Sequence, residues 1–260
     1  MRILKYLRLN IKLNLIINFK YKINLVTEYF TLLVLPILIN YLFSKSMVDY
    51  RNISLDYDLI LYVILSNFIL KIVISNLEFN MEADIKSGKF IYKQLQPMKT
   101  SYIYFLSDLS VKLAKALPLF FLVLPIIVFR SGSIKISAII PSIVFISIAL
   151  ILGFLISFFI GCLSFNFVEV WGISAIKSLT MAVFTGSLFP LDILPECVFV
   201  VLKKLPFAYL SYYPSLALGM TKFAYKNVLI MGLIWIFIFF IFNRIIWKYG
   251  LTKYEGTIEW

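Results

Sequence analysis

Histidine is absent from the 260 residues, which removes the commonest general base near neutral pH and the commonest metal ligand. The two cysteines, Cys162 and Cys197, fall in a predicted span and a predicted external segment. No disulfide is expected between them, two thiols make no four-ligand zinc site, and both read as small apolar side chains. The nearest approach to paired carboxylates is Glu82 with Asp84, and their lysine-rich surroundings are those of a solvated charged face. Asp108, Lys112 and Lys115 recur at i, i+4 and i+7, so they share a helix face and Asp108 can pair with Lys112. A proton relay needs such a cluster at mid-membrane; its place near one end of a span favours pairing and snorkelling. Glu28, Lys71 and Lys177 are further charges in or beside apolar runs. Glu28 can meet a basic residue of the preceding helix, and the lysines reach headgroups or line a bundle interior. No G-x-x-x-x-G-K-[ST] string occurs, so this chain is not expected to split ATP by that route. Nothing here forms a catalytic constellation.

The elements that must position these charges are apolar. Hydrophobic residues make up 62% and charged ones 15%, against about 25% charged in soluble domains. Runs of roughly 20 apolar residues cross a bilayer as helices, and the short alternating strands of a membrane barrel are missing. The expected fold is an all-α integral membrane protein, 1–260 forming a single transmembrane domain. Six spans are expected at about 25–43, 59–76, 104–129, 138–164, 171–189 and 227–247. Residues 1–23 alternate basic and aliphatic residues, with Lys5, Arg8 and Lys12 at helical spacing, and read as an amphipathic interfacial helix. A cleaved signal peptide would need a small-residue cleavage site, which this stretch lacks. Residues 44–58 read as a polar loop, and the end of the chain as a short basic tail.

Two connecting segments carry more information. Between spans two and three, 77–100 is the longest polar stretch. Its part 82–101 reads as a short helix, a glycine, an apolar patch and a proline, a connector that a grooved partner could grip; the bland alternative is a connector with no partner. Residues 189–226 are apolar but interrupted by Pro190, Pro195, Pro206 and Pro214, a density no continuous helix tolerates. They read as two short re-entrant helices, with an ordinary external loop as the alternative.

The net charge of +12 sits between and beside the apolar runs. It therefore points to anionic lipid headgroups rather than nucleic acid. Lysine and arginine are more numerous on the side of both tails and the 77–100 segment, which puts that side in the cytoplasm.

Three groups of residues carry a resemblance. One is Asp84, Ile85, Gly88, Leu95 and Pro97, an acid-Ile-x-x-Gly segment leading to Leu-x-Pro. The second is the string TGSLFPLDILPECVFVVLKKLPFAYLSYYPSLALG at 185–219. The third is the tail, Gly250, Lys253, Tyr254 and Gly256. In this order the chain resembles bacterial ABC transporter permeases of the type-2 exporter class, six-span subunits without a fused ATPase. It departs from them in having lysines and Phe90, Ile91 where arginine and a second leucine are more usual. The resemblance implies a permease paired with a second permease, a heterodimer more often than a homodimer, and docked on separate ABC ATPase subunits. ATP and Mg would bind in those partners, with no cofactor, metal or catalytic residue in this chain. Glu82, Asp84, Ile85, Gly88, Leu95 and Pro97 would couple to the ATPase; Pro190, Pro195, Pro206 and Phe207 would shape an extracellular gate. The place would be the bacterial plasma membrane with both termini cytoplasmic, and the cargo amphipathic: a drug, an antimicrobial peptide or a lipid. Two other classes stay open on the residues alone. One is an intramembrane lipid-modifying enzyme built on Asp108 and Lys112. The other is a membrane scaffold or immunity protein that binds a toxin.

Overall fold

The structure, a computed structural model, describes residues 2–20, 30, 34–52, 55, 57–131, 136–167, 169–218 and 225–258. Among these, helices and turns account for the ordered backbone. They are α1 (Arg2–Lys20), α2 (Leu35–Arg51), α3 (Leu59–Val73), α4 (Leu77–Lys86), α5 (Lys89–Gln94), α6 (Thr100–Ser131), α7 (Ile136–Leu163) and α8 (Trp171–Phe184). Short pieces follow: a 3-10 turn at Leu191–Ile193, α9 (Glu196–Leu202), a second 3-10 turn at Pro206–Tyr209 and α10 (Tyr212–Ala217). The long α11 (Tyr225–Ile258) closes the fold.

Three helical stretches among the described residues are long and apolar enough to cross a membrane: Leu59–Lys86, Ile140–Leu163 and Tyr225–Tyr254. The stretch Trp171–Phe184 is apolar but shorter. Helices overlap the positions of all six expected spans, with several boundaries moved. The 44–58 region is not a loop throughout, since α2 continues to Arg51 and ends on Asn52 in the left-handed conformation, φ 50°. The tail is not a tail, since α11 runs on to Ile258. In both places polar side chains occupy the solvent end of a helix, and polarity alone does not stop a helix. Glu28 lies outside the described residues.

The bundle is organised on α7, which packs against α11, α4, α10 and α3. Its residues Leu152–Phe158 are buried all round, as expected of a helix without a polar face. Close approach is made possible by Gly153, where an added Cβ would lie 2.5 Å from the Val73 carbonyl oxygen at the end of α3. The amphipathic α1 lies along α6, with the Asn14 amide donating to Ser110 Oγ at 3.1 Å. Its Leu9, Leu13, Ile16 and Ile17 stay exposed.

The segment from Pro190 to Ala217 is folded onto the bundle. Leu191, Ala208, Tyr209 and Leu210 are buried with Tyr62, Phe145 and Leu152 in one apolar cluster. Prolines open several of its pieces: Pro190 and Pro195 sit in extended backbone just before a 3-10 turn and before α9, where a missing N–H costs nothing.

Candidate functional site

The helical run that starts at Leu59 is interrupted at Ile74–Asn76. An interruption in an apolar setting exposes backbone groups that need partners. Here polar side chains from two other helices supply them, and a third helix binds the serine side chain. The Ser75 carbonyl accepts from Lys177 Nζ of α8 at 2.7 Å and from Ser157 Oγ of α7 at 2.9 Å. The Ser75 hydroxyl donates to Asp108 Oδ1 of α6 at 2.5 Å.

Two buried ion pairs flank this serine. Lys177 pairs with Glu78, whose Oε1 also accepts from Ser174 Oγ at 2.7 Å. Lys112 Nζ lies 2.8 Å from Asp108 Oδ2 and also reaches the Leu150 carbonyl at 3.4 Å. Glu78 is 0% exposed and none of the four charged residues exceeds 8%. Charges so far from water persist only when paired. Glu78 Oε2 has no hydrogen-bond partner among the described residues. Beside Asp108 and Lys112 a cleft of about 150 Å³ opens between α6 and α7, lined otherwise by Ser147 and apolar residues such as Phe105, Leu109 and Ile151.

The sequence singled out Asp108, Lys112 and Lys115, and the structure joins the first two as a pair. Lys112 turns inward instead of snorkelling to the surface. Lys115 is half-buried on the same helix. Ser75, Glu78, Ser157 and Ser174 were not singled out. Glu78 had the look of a solvated loop charge because it follows the apolar run by a few residues. The readable signal was a lysine in one apolar helix and an acid closing another, opposite charges that the membrane forces together.

Beyond this node, α4 and α5 form the surface turn expected at 77–100. Ser87 ends α4, and Gly88 reverses the chain at φ 71°. The turn is braced from inside. Asp84 pairs with Lys93 and accepts from the Tyr104 hydroxyl at 2.9 Å. The Lys93 ammonium also lies over the Tyr104 ring, 4.3 Å from its centroid. Glu82 pairs with Lys86 at 2.5 Å and accepts from the Val170 N–H at 3.4 Å. Phe90 is fully buried among Phe165, Trp247 and Tyr254, each ring meeting it edge-on. Ile85 packs against the same cluster. Leu95 and Pro97 are exposed. So Glu82, Asp84 and Ile85 face the bundle, and Leu95 and Pro97 face away.

At the opposite end, Asp192 accepts from Tyr57 at 2.9 Å and from Tyr212 at 2.5 Å. Tyr62 donates to the Gly186 carbonyl at 2.7 Å, and Asn40 to the Ser187 carbonyl at 3.0 Å. Pro190 and Pro206 are buried, Pro195 is exposed, and Phe207 is half-buried with its ring 6.1 Å from that of Phe184. The four residues expected at a gate thus lie in one capping segment, two of them buried, one half-buried and one exposed.

An apolar helical bundle with charges paired inside and helices long enough to cross a bilayer is the architecture of a membrane protein. The sequence profile of the family described as ABC-2 family transporter protein matches residues 23–257. The chain belongs to that family and is a permease of the ABC-2 type, a membership that implies an ABC ATPase partner. No curated protein matches the chain at a significant level.

Proposed function

We propose that the chain is the membrane-spanning permease of an ATP-driven exporter. Six spans form one half of the pathway, a second permease forms the other, and separate ATPase subunits dock on the 77–100 side. Both termini lie on that side, in the cytoplasm of a bacterial cell. The cargo is amphipathic, a drug, peptide or lipid-like molecule entering from the bilayer, in keeping with a chain that is 17% aromatic. The segment 189–226 dips into the outer leaflet and shapes the exit, with Pro190, Pro195, Pro206 and Phe207 at its turns.

The observation that carries this reading is the connection between the braced turn and the buried node. The turn cannot flex freely, because Asp84, Phe90 and Glu82 tie it to the bundle. It continues directly into Glu78 and Ser75, which are joined to α6, α7 and α8. A push on the turn therefore reaches three helices through short, strong contacts.

The test is retention of an ATPase by the tagged chain isolated from its native membranes. Wild type is expected to bring an ABC ATPase, and the double variant Gly88→Pro, Asp84→Arg to lose it. Failure of wild type to bring any ATPase overturns the reading.

A further inference from the structure

Helices that follow each other in a chain usually stand side by side, yet α6 packs chiefly on α1 and α3 and only loosely on α7. The two meet where the Phe105 ring lies edge-on to Phe154, 5.0 Å between centroids, and where Lys112 Nζ reaches the Leu150 carbonyl at 3.4 Å. The cleft beside Asp108 and Lys112 lies between these contacts. Phe105, Leu109 and Lys112 form one wall, a single stripe of α6. Ser147, Leu150 and Ile151 form the facing stripe of α7. Asp108 and Lys112 are buried, whereas Ser147 and Ile151 are exposed, so the charges lie at the floor and the α7 residues at the mouth. Around the mouth Ile143 and Val144 of α7 and Leu113 and Leu117 of α6 are exposed as well. On a stretch apolar and long enough to cross a bilayer, such a rim meets acyl chains.

The floor is polar but not fully bonded. A lysine ammonium has three donors. Among the described residues Lys112 meets two acceptors, Asp108 Oδ2 and the more distant Leu150 carbonyl. A remaining ammonium N–H beside hydrocarbon is costly unless an acceptor reaches it. We propose that the cleft holds one phospholipid of the surrounding bilayer. A segment of its acyl chain lies along Phe105, Leu109 and Ile151, and an ester or phosphate oxygen accepts from Lys112. The size fits part of such a molecule: the cleft is about 150 Å³, and an apolar cavity of about that volume takes one benzene. The rest of the lipid leaves through the mouth.

Asp108 and Lys112 offset each other, so the floor selects its ligand by hydrogen bonding and not by headgroup charge. The lipid fills the gap that the side chains leave and ties α6 to α7, the axis of the bundle. It is a resident part of the fold, unlike a cargo, which must leave. The site requires only a membrane-embedded chain and does not depend on transport.

The experiment uses the full chain in nanodiscs that contain a phospholipid with a diazirine on one acyl chain. After irradiation, the labelled peptides are mapped by mass spectrometry. Labelling is expected to concentrate on 105–112 and 147–151, and zwitterionic and anionic lipids should label alike. Labelling no stronger there than on the exposed face of α11, or by anionic lipid alone, overturns the proposal; the wild-type chain decides this without any variant. Ser147→Phe with Ile151→Trp fills the mouth from exposed positions and leaves Asp108 and Lys112 in place. It should lose the labelling, while Ile143→Trp, outside the cleft on the same helix, should keep it. Equal labelling of the filled variant overturns the site. Native mass spectrometry of the wild-type chain in mild detergent should show a retained phospholipid. A retained mass of any other kind, or none, also overturns it. Adding phospholipid should raise the melting temperature of the delipidated wild type more than that of the filled variant, and an equal rise counts against the site. A wild-type chain that brings no ATPase from its native membranes removes the permease reading and leaves this site standing.

Discussion

Lys177 and Glu78 show what a single side chain does in this fold. Each is buried, and each has the other as its opposite charge. Replacing Lys177 by Met leaves Glu78 alone in an apolar interior, and breaking such a pair costs about 3–5 kcal/mol. The double variant Glu78→Gln, Lys177→Met removes both charges and is expected to recover most of that loss. Thermal unfolding of the purified protein in detergent measures both; equal destabilisation by the single and double changes would refute the pairing. Two glycines make a second comparison. Gly88 has φ 71° with open space where a Cβ would stand. Gly88→Ala should therefore cost only the left-handed penalty of about 1–2 kcal/mol. Gly186 has φ 77°, and a Cβ there would lie 2.8 Å from the Tyr62 hydroxyl oxygen, the group that bonds its own carbonyl. Gly186→Ala should therefore lower the melting temperature more than Gly88→Ala does. Lys177 was visible in the sequence as a charge inside an apolar run. Its partner was not, because Glu78 lies 99 positions away and only packing brings the two together.

At the scale of elements, the interruption at Ile74–Asn76 and the turn at Gly88 do the positioning. Ser75→Ala removes the hydroxyl that Asp108 accepts from, and an unmet buried acceptor costs about 1–3 kcal/mol. Unfolding in detergent should register that loss, and an unchanged transition would show that Asp108 needs no bond from this serine. Phe90→Ala should empty the space between Phe165, Trp247 and Tyr254, at about 3–5 kcal/mol. Because the cavity sits under α5, limited proteolysis should cut the 86–99 turn faster in this variant, and unchanged cutting would mean that the ring does not hold the turn. The turn itself was legible, since Gly88 and Pro97 punctuate a polar stretch between apolar runs. Which of its residues point inward was not legible. Asp84 and Leu95 look equally available in the sequence, and only the Tyr104 and Lys93 contacts show that Asp84 is occupied.

For the molecule as a whole, α7 is the axis on which the other helices assemble. Gly153→Val should prevent the approach of α3, because the nearest obstacle is the backbone oxygen of Val73, 2.5 Å from an added Cβ, and backbone cannot swing aside. Loss of a monodisperse peak on gel filtration is the expected outcome; a normal peak would mean that the α3–α7 contact is dispensable. The sequence by itself determined that the chain is helical and membrane-embedded, where its main connectors lie, and which residues are too costly to leave unpaired. Those conclusions follow from composition and run length, since a bilayer rewards apolar helices of a given length and punishes lone charges. Tertiary structure alone decided which charges meet, how far α2 and α11 extend, and which side of the 86–99 turn remains exposed. Those outcomes depend on contacts between residues far apart in the chain, such as Ser75 with Asp108 and Phe90 with Trp247. Helical periodicity orders side chains around a single helix but does not say which helix stands beside it.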